Sequence, residues 1–199
     1  MLISIEGLIG AGKSTLCRLL QENGLDVATE PVNNWCVTAD GVTHNILEHY
    51  YNSPKKYAYV FQTLVLCSRL NQSKNFDGIV ERCIWTDKLF AKMQRDLGNM
   101  SDVEYAAYSY QHTQAALDSP YVDKYIYLKT SVDTCLQRIK QRGRKGEEGI
   151  DATYLTHLQK LHETWMATEL NVLVLDGERD LFDEVVRKDF INKIKTFIH

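Results

Sequence analysis

Residues 7–14 read Gly-Leu-Ile-Gly-Ala-Gly-Lys-Ser, a complete G-x-x-x-x-G-K-[ST] pattern. The chemistry of this spacing is phosphate binding. Glycines at 7, 10 and 12 let successive backbone N–H groups, with those of Ala11 and Thr15, converge on phosphate oxygens. A helix beginning at Lys13 would add the positive end of its dipole. Lys13 would reach the outer phosphates and Ser14 would ligate Mg²⁺. An apolar run at 2–5 precedes the pattern and a helical one at 14–21 follows it, the strand–loop–helix context the motif requires. The motif implies a bound nucleotide and leaves open what the nucleotide is for.

Three further groups of residues have types suited to chemistry. Glu30 stands in Glu30-Pro31-Val32-Asn33-Asn34-Trp35, just beyond a short apolar run at 25–28. A carboxylate at the carboxyl end of a strand in a doubly wound sheet borders the ligand crevice and could take a proton from an attacking hydroxyl. Taken alone it reads more readily as a surface acid before a turn, and Trp35 as a core residue. Glu81-Arg82 ends another run, at 78–81. Glu81 could hold Mg²⁺ directly or through water, and Arg82 could steady a neighbouring acid; the alternative is a structural ion pair. Arg138, Arg142 and Arg144, with Lys140 and Lys145, lie in and after a helical stretch at 132–141, with glycines at 143, 146 and 149. Mobile arginines facing a phosphate loop suit phosphoryl transfer. The alternatives are a solvated basic face or a nucleic-acid patch, and Glu147 and Glu148 in the same segment argue against the patch.

These residues need elements to position them. The spacing predicts five short apolar strands, at 2–5, 25–28, 78–81, 125–128 and 172–175, separated by helices. Helices are predicted over 14–21, 45–75 with a break at Ser53-Pro54, 85–97, 102–117, 132–141, 154–170 and 182–198. Strands alternating with helices imply an α/β fold with a five-stranded parallel sheet flanked by helices. The chain has 199 residues, 44% hydrophobic and 25% charged, an ordinary balance for one domain spanning 1–199. A net charge of −3 speaks against a nucleic-acid polymer as partner. The five cysteines form no C-x-x-C pair and no zinc-ligand spacing with the six histidines, so they read as buried thiols in a reducing compartment. No stretch has the ~20 apolar residues of a membrane span, and no secretory or transit signal is evident. The expectation is a cytoplasmic protein that does not engage membranes.

Together the motifs resemble the deoxyribonucleoside kinase family, in particular its deoxycytidine and deoxyguanosine kinases. The resemblance rests on IEGLIGAGKST at 5–15, EPVNNW at 30–35, SPKKYAYVFQT at 53–63, ERCIWTD at 81–87 and CLQRIKQRGRKGEEG at 135–149. Tyr154-Leu155 and His162-Glu163-Thr164-Trp165 are similar to the family's helix after the lid. The resemblance implies a P-loop kinase fold with an arginine-rich lid at about 142–149. It implies transfer of the γ-phosphate of ATP, with Mg²⁺, to the 5′-hydroxyl of a deoxyribonucleoside. By position, Glu30 would be the general base. Arg82 would steady that carboxylate and hold the sugar, and Lys13 and Arg142 would act on the moving phosphate. Ser14 and Glu81 would serve Mg²⁺, and Tyr51 and Glu147 would bind the 3′-hydroxyl. Gln62 would pair with the base edge between Trp35 and Phe61. Arg138, Arg142 and Arg144 would close on the phosphates, with Arg179 and Asp180 against the adenine. A homodimer is part of the same implication.

Arg69 and Asp87 stand where the deoxycytidine and deoxyguanosine kinases carry an Arg and an Asp, which points to deoxycytidine, with purine deoxynucleosides possible. Two departures count. Cys83 replaces the serine usual after Glu-Arg, and Val65 is bulkier than the residue of deoxycytidine kinase, which keeps thymidine open. The chain also starts almost at its first strand, as a trimmed bacterial or viral form would. Rival readings are a nucleoside monophosphate kinase such as thymidylate kinase, a P-loop regulatory NTPase, and a nucleic-acid-binding module using the lid arginines. A monophosphate acceptor needs basic groups near the acceptor site, and Glu30-Pro31-Val32 contains none.

Overall fold

The computed structural model describes residues 1–144 and 146–198. Lys145, inside the expected lid, and His199 lie outside the described residues. The element order is β1 (Leu2–Glu6), α1 (Lys13–Glu22), β2 (Val27–Ala28), β3 (Cys36–Ala39), β4 (Val42–Asn45), α2 (Ile46–Asn52) and α3 (Pro54–Ser73). It continues with β5 (Gly78–Glu81), α4 (Ile84–Asp96), α5 (Asp102–Asp118), β6 (Val122–Lys129), α6 (Val132–Arg142), α7 (Ala152–Met166), β7 (Val172–Asp176) and α8 (Glu184–Ile198). Five strands form a parallel sheet in the order β2-β5-β1-β6-β7. Its centre, β1, is buried along its whole length, as a strand covered on both faces must be. The sheet core runs through Ile3, Ile5, Ile79 and Ile126 into Leu16 and Leu20 of α1, and into Leu155, Leu158 and Phe190 of the covering helices.

The crossover from β1 runs outward to β2, and the one from its neighbour β5 runs the opposite way to β6, so the connections of these two adjacent strands diverge. Ligand crevices of open α/β sheets open there, at the carboxyl ends of the strands. The residues leaving β1, β2 and β5 are those of the 7–14 motif, Glu30, and Arg82.

Local chemistry explains the breaks. Pro54 is the first residue of α3, where a missing N–H costs nothing, and it separates α3 from α2 as expected. Ser101 and Glu104 form a reciprocal capping box that starts α5. Gly143, at φ 59°, ends α6. One element goes beyond the sequence expectation: an antiparallel hairpin, β3–β4, solvent-exposed throughout. Its signal was an Asp40-Gly41 turn, both residues at positive φ, between threonine- and valine-bearing runs. None of the described helices is long and apolar enough to cross a membrane.

His162 of α7 is fully buried behind the site. Its Nδ1 pairs with the Leu158 carbonyl at 3.0 Å, and its Nε2 has no partner among the described residues. Burial, reinforced by the charge of Arg82, pushes its pKa from 6.5 down to about 3. The unfolded chain takes up this proton near pH 6.5 and the folded one does not. The stability from neutral His162 is complete above pH 6.5 and is lost as pH falls toward 3, at up to about 1.4 kcal/mol per pH unit. Thermal melts between pH 7.5 and 5 should show His162→Leu losing Tm less steeply than the parent; equal slopes would refute the assignment.

Candidate functional site

The phosphate loop is shaped by its protein neighbours. Gly10 sits at φ 82°, and a Cβ there would lie 2.6 Å from the Cys135 carbonyl oxygen of α6. A Cβ on Gly7 would lie 2.7 Å from the Leu128 carbonyl oxygen. Both glycines are therefore required before any ligand is considered. Lys13 is buried, and its Nζ donates to the carbonyls of Leu8 at 2.7 Å and Gly7 at 3.2 Å. Burial, aided by the charge of Arg82, lowers its pKa to about 8, with Glu81, Glu30 and Glu6 holding it up. The Ser14 hydroxyl donates to Glu81 Oε1 at 2.8 Å, so the loop and the end of β5 share one polar cluster.

Across the crevice stands Glu30, two residues past β2. Arg69 Nη2 donates to Glu30 Oε1 at 3.0 Å, while Arg82 Nε lies 3.6 Å from the same oxygen. Burial pushes the Glu30 carboxyl up, but the charges of Arg69, Arg82 and Lys13 outweigh it and hold its pKa below the ordinary value of 4.5. The closer hold by Arg69 goes beyond the sequence expectation, which gave this task to Arg82 alone. Arg69 is 2% exposed. Its Nε lies 2.9 Å from both oxygens of Asp87, and its Nη1 donates to the Glu81 carbonyl at 3.0 Å. It is a buried hub joining α3, α4, β5 and Glu30, not an arginine on a solvated helix face. Burial pushes the Asp87 carboxyl up, and the Arg69 guanidinium opposes the rise. Arg82 adopts φ 67°, rare for a side chain of its size, and its buried Nη1 has no partner among the described residues.

The aromatic wall stands on α2 and α3. Phe61, Gln62, Val65 and Arg69 recur at helical spacing, which brings them to one face of α3. Phe61 meets Trp35 edge-on, at 5.3 Å and 88°, and stacks on Tyr50 at 4.9 Å and 13°. Trp35 is fixed by its indole N–H, which donates to Ser68 Oγ at 3.1 Å, and Ser68 in turn donates to the Val65 carbonyl. Ser68 was missed because a helix serine one turn beyond a pocket residue has no distinctive sequence signal.

The expected lid is folded onto its own acid. Arg142 makes charge-assisted bonds of 2.7 and 2.8 Å from Nη2 to the two oxygens of Glu147, with Arg144 at 3.4 Å. Glu147 is 3% exposed. Gly146 lies so close to Tyr51 that a Cβ would meet its ring at 2.5 Å, which brings Tyr51 and Glu147 together as expected. Burial, with the charge of Glu147, pushes the Tyr51 hydroxyl up. Arg138 acts as a strut here, donating from Nη1 to the carbonyls of Ala11 and Gly177. Arg179 is placed differently from the expectation: it pairs with Asp189 of α8, lies over the Phe190 ring and does not line the cavity, whereas Asp180 does.

One cavity of about 1190 Å³ collects the site. Its walls include Lys13, Ser14, Thr15, Glu30, Trp35 and Tyr51, and also Phe61, Gln62, Arg69, Glu81, Arg82 and Asp87. Arg138, Arg142, Arg144 and Glu147 close its remaining side. That volume exceeds a typical single-ligand pocket of about 300–1,000 Å³ and suits two substrates side by side.

Comparison with known proteins agrees with this geometry. The sequence model of the deoxynucleoside kinase family matches residues 3–199. Deoxycytidine kinase 2 of Gallus gallus is 32% identical over 240 residues, covering 98% of this chain and 89% of that protein. Deoxycytidine kinase of Homo sapiens is 30% identical over 236 residues, covering 98% and 90%. Among solved structures, deoxyadenosine kinase from M. mycoides with the products dCMP and dCDP bound superposes with a TM-score of 0.82 at 29% identity, covering 98% of this chain and 99% of that one. A structure of the same enzyme with bound dCTP gives a TM-score of 0.83. With a phosphate loop, a guanidinium-held carboxylate and an aromatic pocket meeting in one cavity, the chain belongs to the deoxynucleoside kinase family and is a kinase of deoxynucleosides.

Proposed function

We propose that the protein transfers the γ-phosphate of ATP to the 5′-hydroxyl of a deoxyribonucleoside, with deoxycytidine preferred and purine deoxynucleosides or thymidine as lesser substrates. The observation that carries this reading is that Glu30, gripped by two arginines, and the Lys13 loop wall the same cavity. A hydroxyl between them would have a proton acceptor on one side and a phosphate cradle on the other. Glu30 is ionised at neutral pH because its cationic neighbours favour the charged form. It would orient the hydroxyl and take its proton as the bond to phosphorus forms. The unpartnered Arg82 Nη1 would donate to an oxygen at that end of the sugar. Tyr51 and Glu147 would take the 3′-hydroxyl, and Gln62 would read the base between Trp35 and Phe61.

The residues fit Mg²⁺ as a partner of the phosphates. Ser14 and Glu81 supply hard oxygen ligands beside the loop. No three His, Cys, Asp or Glu among the described residues are placed to hold a metal ion by themselves, and a kinase Mg²⁺ takes most of its remaining ligands from phosphate and water. The ion would neutralise phosphate charge. Lys13, Arg142 and Arg144 would do the same from the protein side.

Support for the base preference comes from Arg69 and Asp87, which fill the depth of the pocket with donors and acceptors. The M. mycoides enzyme, named for deoxyadenosine, was solved with deoxycytidine nucleotides bound, which supports keeping both base classes in the reading. A homodimer belongs to the same reading. It is supported by apolar Val103, Tyr110 and Leu117 standing exposed on α5.

Glu30→Gln should lower kcat by about 10²–10⁴-fold while nucleoside affinity changes little. Steady-state kinetics and equilibrium binding would check this, and near-parental turnover would remove Glu30 as the proton acceptor. Replacing Arg69 and Asp87 together, by Met and Ala, should raise the thymidine-to-deoxycytidine ratio of kcat/KM about tenfold or more. It should also slow every nucleoside, because Glu30 loses its closer guanidinium; an unchanged ratio would show that the pair does not read the base. ATP binding to the free enzyme should weaken as pH rises through about 8, where Lys13 loses its proton, by up to about tenfold at pH 9. Calorimetric titrations at pH 7 and 9 would test this, and a flat profile would contradict it.

A further inference from the structure

Glu6 is the last residue of β1, fully buried, and it does not line the cavity. No step of the proposed reaction uses it. Yet it holds three donors on two oxygens. Ser4 Oγ donates to Oε1 at 2.6 Å, the Cys83 N–H to Oε1 at 3.2 Å, and Thr86 Oγ1 to Oε2 at 2.6 Å. A carboxylate buried among neutral donors is a costly choice for filling space, since an apolar side chain would do that without desolvating a charge. Its retention calls for a geometric reason.

The partners supply one. Cys83 and Thr86 flank the junction where β5 ends and α4 begins, and Arg82 immediately precedes them. Arg82 is held at φ 67°, a conformation persisting only where its surroundings fix it. Its own N–H is pinned to the Ile5 carbonyl at 3.1 Å, one residue before Glu6. Residues 5 and 6 thus fix Arg82, Cys83 and Thr86 by successive bonds from one strand end. With its backbone locked, the Arg82 guanidinium lies 5.0 Å over the Phe90 ring and 3.6 Å from Glu30.

We infer that Glu6 is a positioning residue: through Cys83 and Thr86 it holds the strained turn that aims Arg82 at Glu30 and the acceptor. The same carboxylate adjoins Gly7, so it ties the aim of Arg82 to the phosphate loop. This rests on the kinase reading above.

The test is a double-mutant cycle with Arg82. Glu6→Leu should lower kcat about 100-fold in the parent, the scale expected when a reacting group is misplaced by about 1 Å. In an Arg82→Lys background it should lower kcat less than about threefold, because a residue acting through Arg82 loses its effect once Arg82 is gone. Glu6→Gln should restore most of the activity, since its oxygen can accept from Cys83 while its amide donates to the Thr86 hydroxyl. Equal losses in both backgrounds would overturn the inference. If Glu6→Leu does not fold, Thr86→Val enters the same cycle, with a loss of about tenfold in the parent and less than about twofold beside Arg82→Lys; equal losses again overturn it. A crystal structure of Thr86→Val reads the claim without activity. Arg82 should leave positive φ or its guanidinium should turn from Glu30, and an unmoved Arg82 refutes the inference. Absence of nucleoside-dependent transfer by the parent enzyme would count against the kinase reading, and the position of Arg82 in the variant would still decide the role of Glu6.

Discussion

The site depends on one buried guanidinium. Arg69 satisfies Asp87, the Glu81 carbonyl and Glu30 together while almost wholly removed from water. Its burial is tolerable because its charge-assisted bonds replace hydration, and because its planar fork can serve acceptors in three directions at once. A lysine at this position could not reproduce that geometry. The arrangement couples what a sequence presents as separate roles. The pair proposed to bound the base pocket also holds Glu30, the proposed proton acceptor. A change to one side of the pocket therefore reaches the other through a single side chain.

The coupling also explains why part of the site was legible and part was not. Lys13, Ser14 and the glycines were visible because a phosphate cradle leaves a fixed spacing in one short segment. Glu30, Glu81 and Arg82 were visible because residues just past apolar strands are placed by the sheet itself. Phe61, Gln62, Val65 and Arg69 were picked out by the family resemblance, and their sharing one face of α3 follows from helical spacing. The bonds of Arg69 to the Glu81 carbonyl and to Glu30 were not visible. Whether a guanidinium reaches a carboxylate 39 positions away depends on tertiary packing, which no local pattern encodes. The strut role of Arg138 and the turn of Arg179 toward Asp189 are unread for the same reason. Among the elements, β3–β4 was overlooked because it buries none of its residues, so it lacks the continuous apolar run by which the other strands were found.

Two kinds of constraint fix the loop that would cradle phosphate. Its glycines are demanded by the carbonyls of Leu128 and Cys135, so the backbone is set by contact with β6 and α6. The Thr130 hydroxyl and Arg138 both donate to the Ala11 carbonyl and tie down its outer side. Preorganisation of this kind keeps the N–H groups aimed without reorganisation when phosphate arrives, which is where electrostatic stabilisation of charge is most effective.

Charge balance then gives the proposed lid a purpose. Lys13, Arg69 and Arg82 stand among Glu6, Glu30, Glu81 and Asp87, so the inner site is not electropositive before substrate arrives. Arg69 has its charge absorbed by Asp87 and Glu30, and the charge of Lys13 is met by Glu81, Glu30 and Glu6. A triphosphate entering this set would lack compensating charge from the floor of the site alone. The missing charge has to come from elsewhere: the proposed divalent ion, and Arg142 and Arg144 of the proposed lid. Those arginines now neutralise Glu147, the acid placed beside Tyr51. Binding a sugar hydroxyl at Glu147 would give that carboxylate a partner from the substrate and weaken its claim on the arginines. On this argument the proposed nucleoside and phosphate sites would not be filled independently: occupation of the sugar site would free charge for the phosphates.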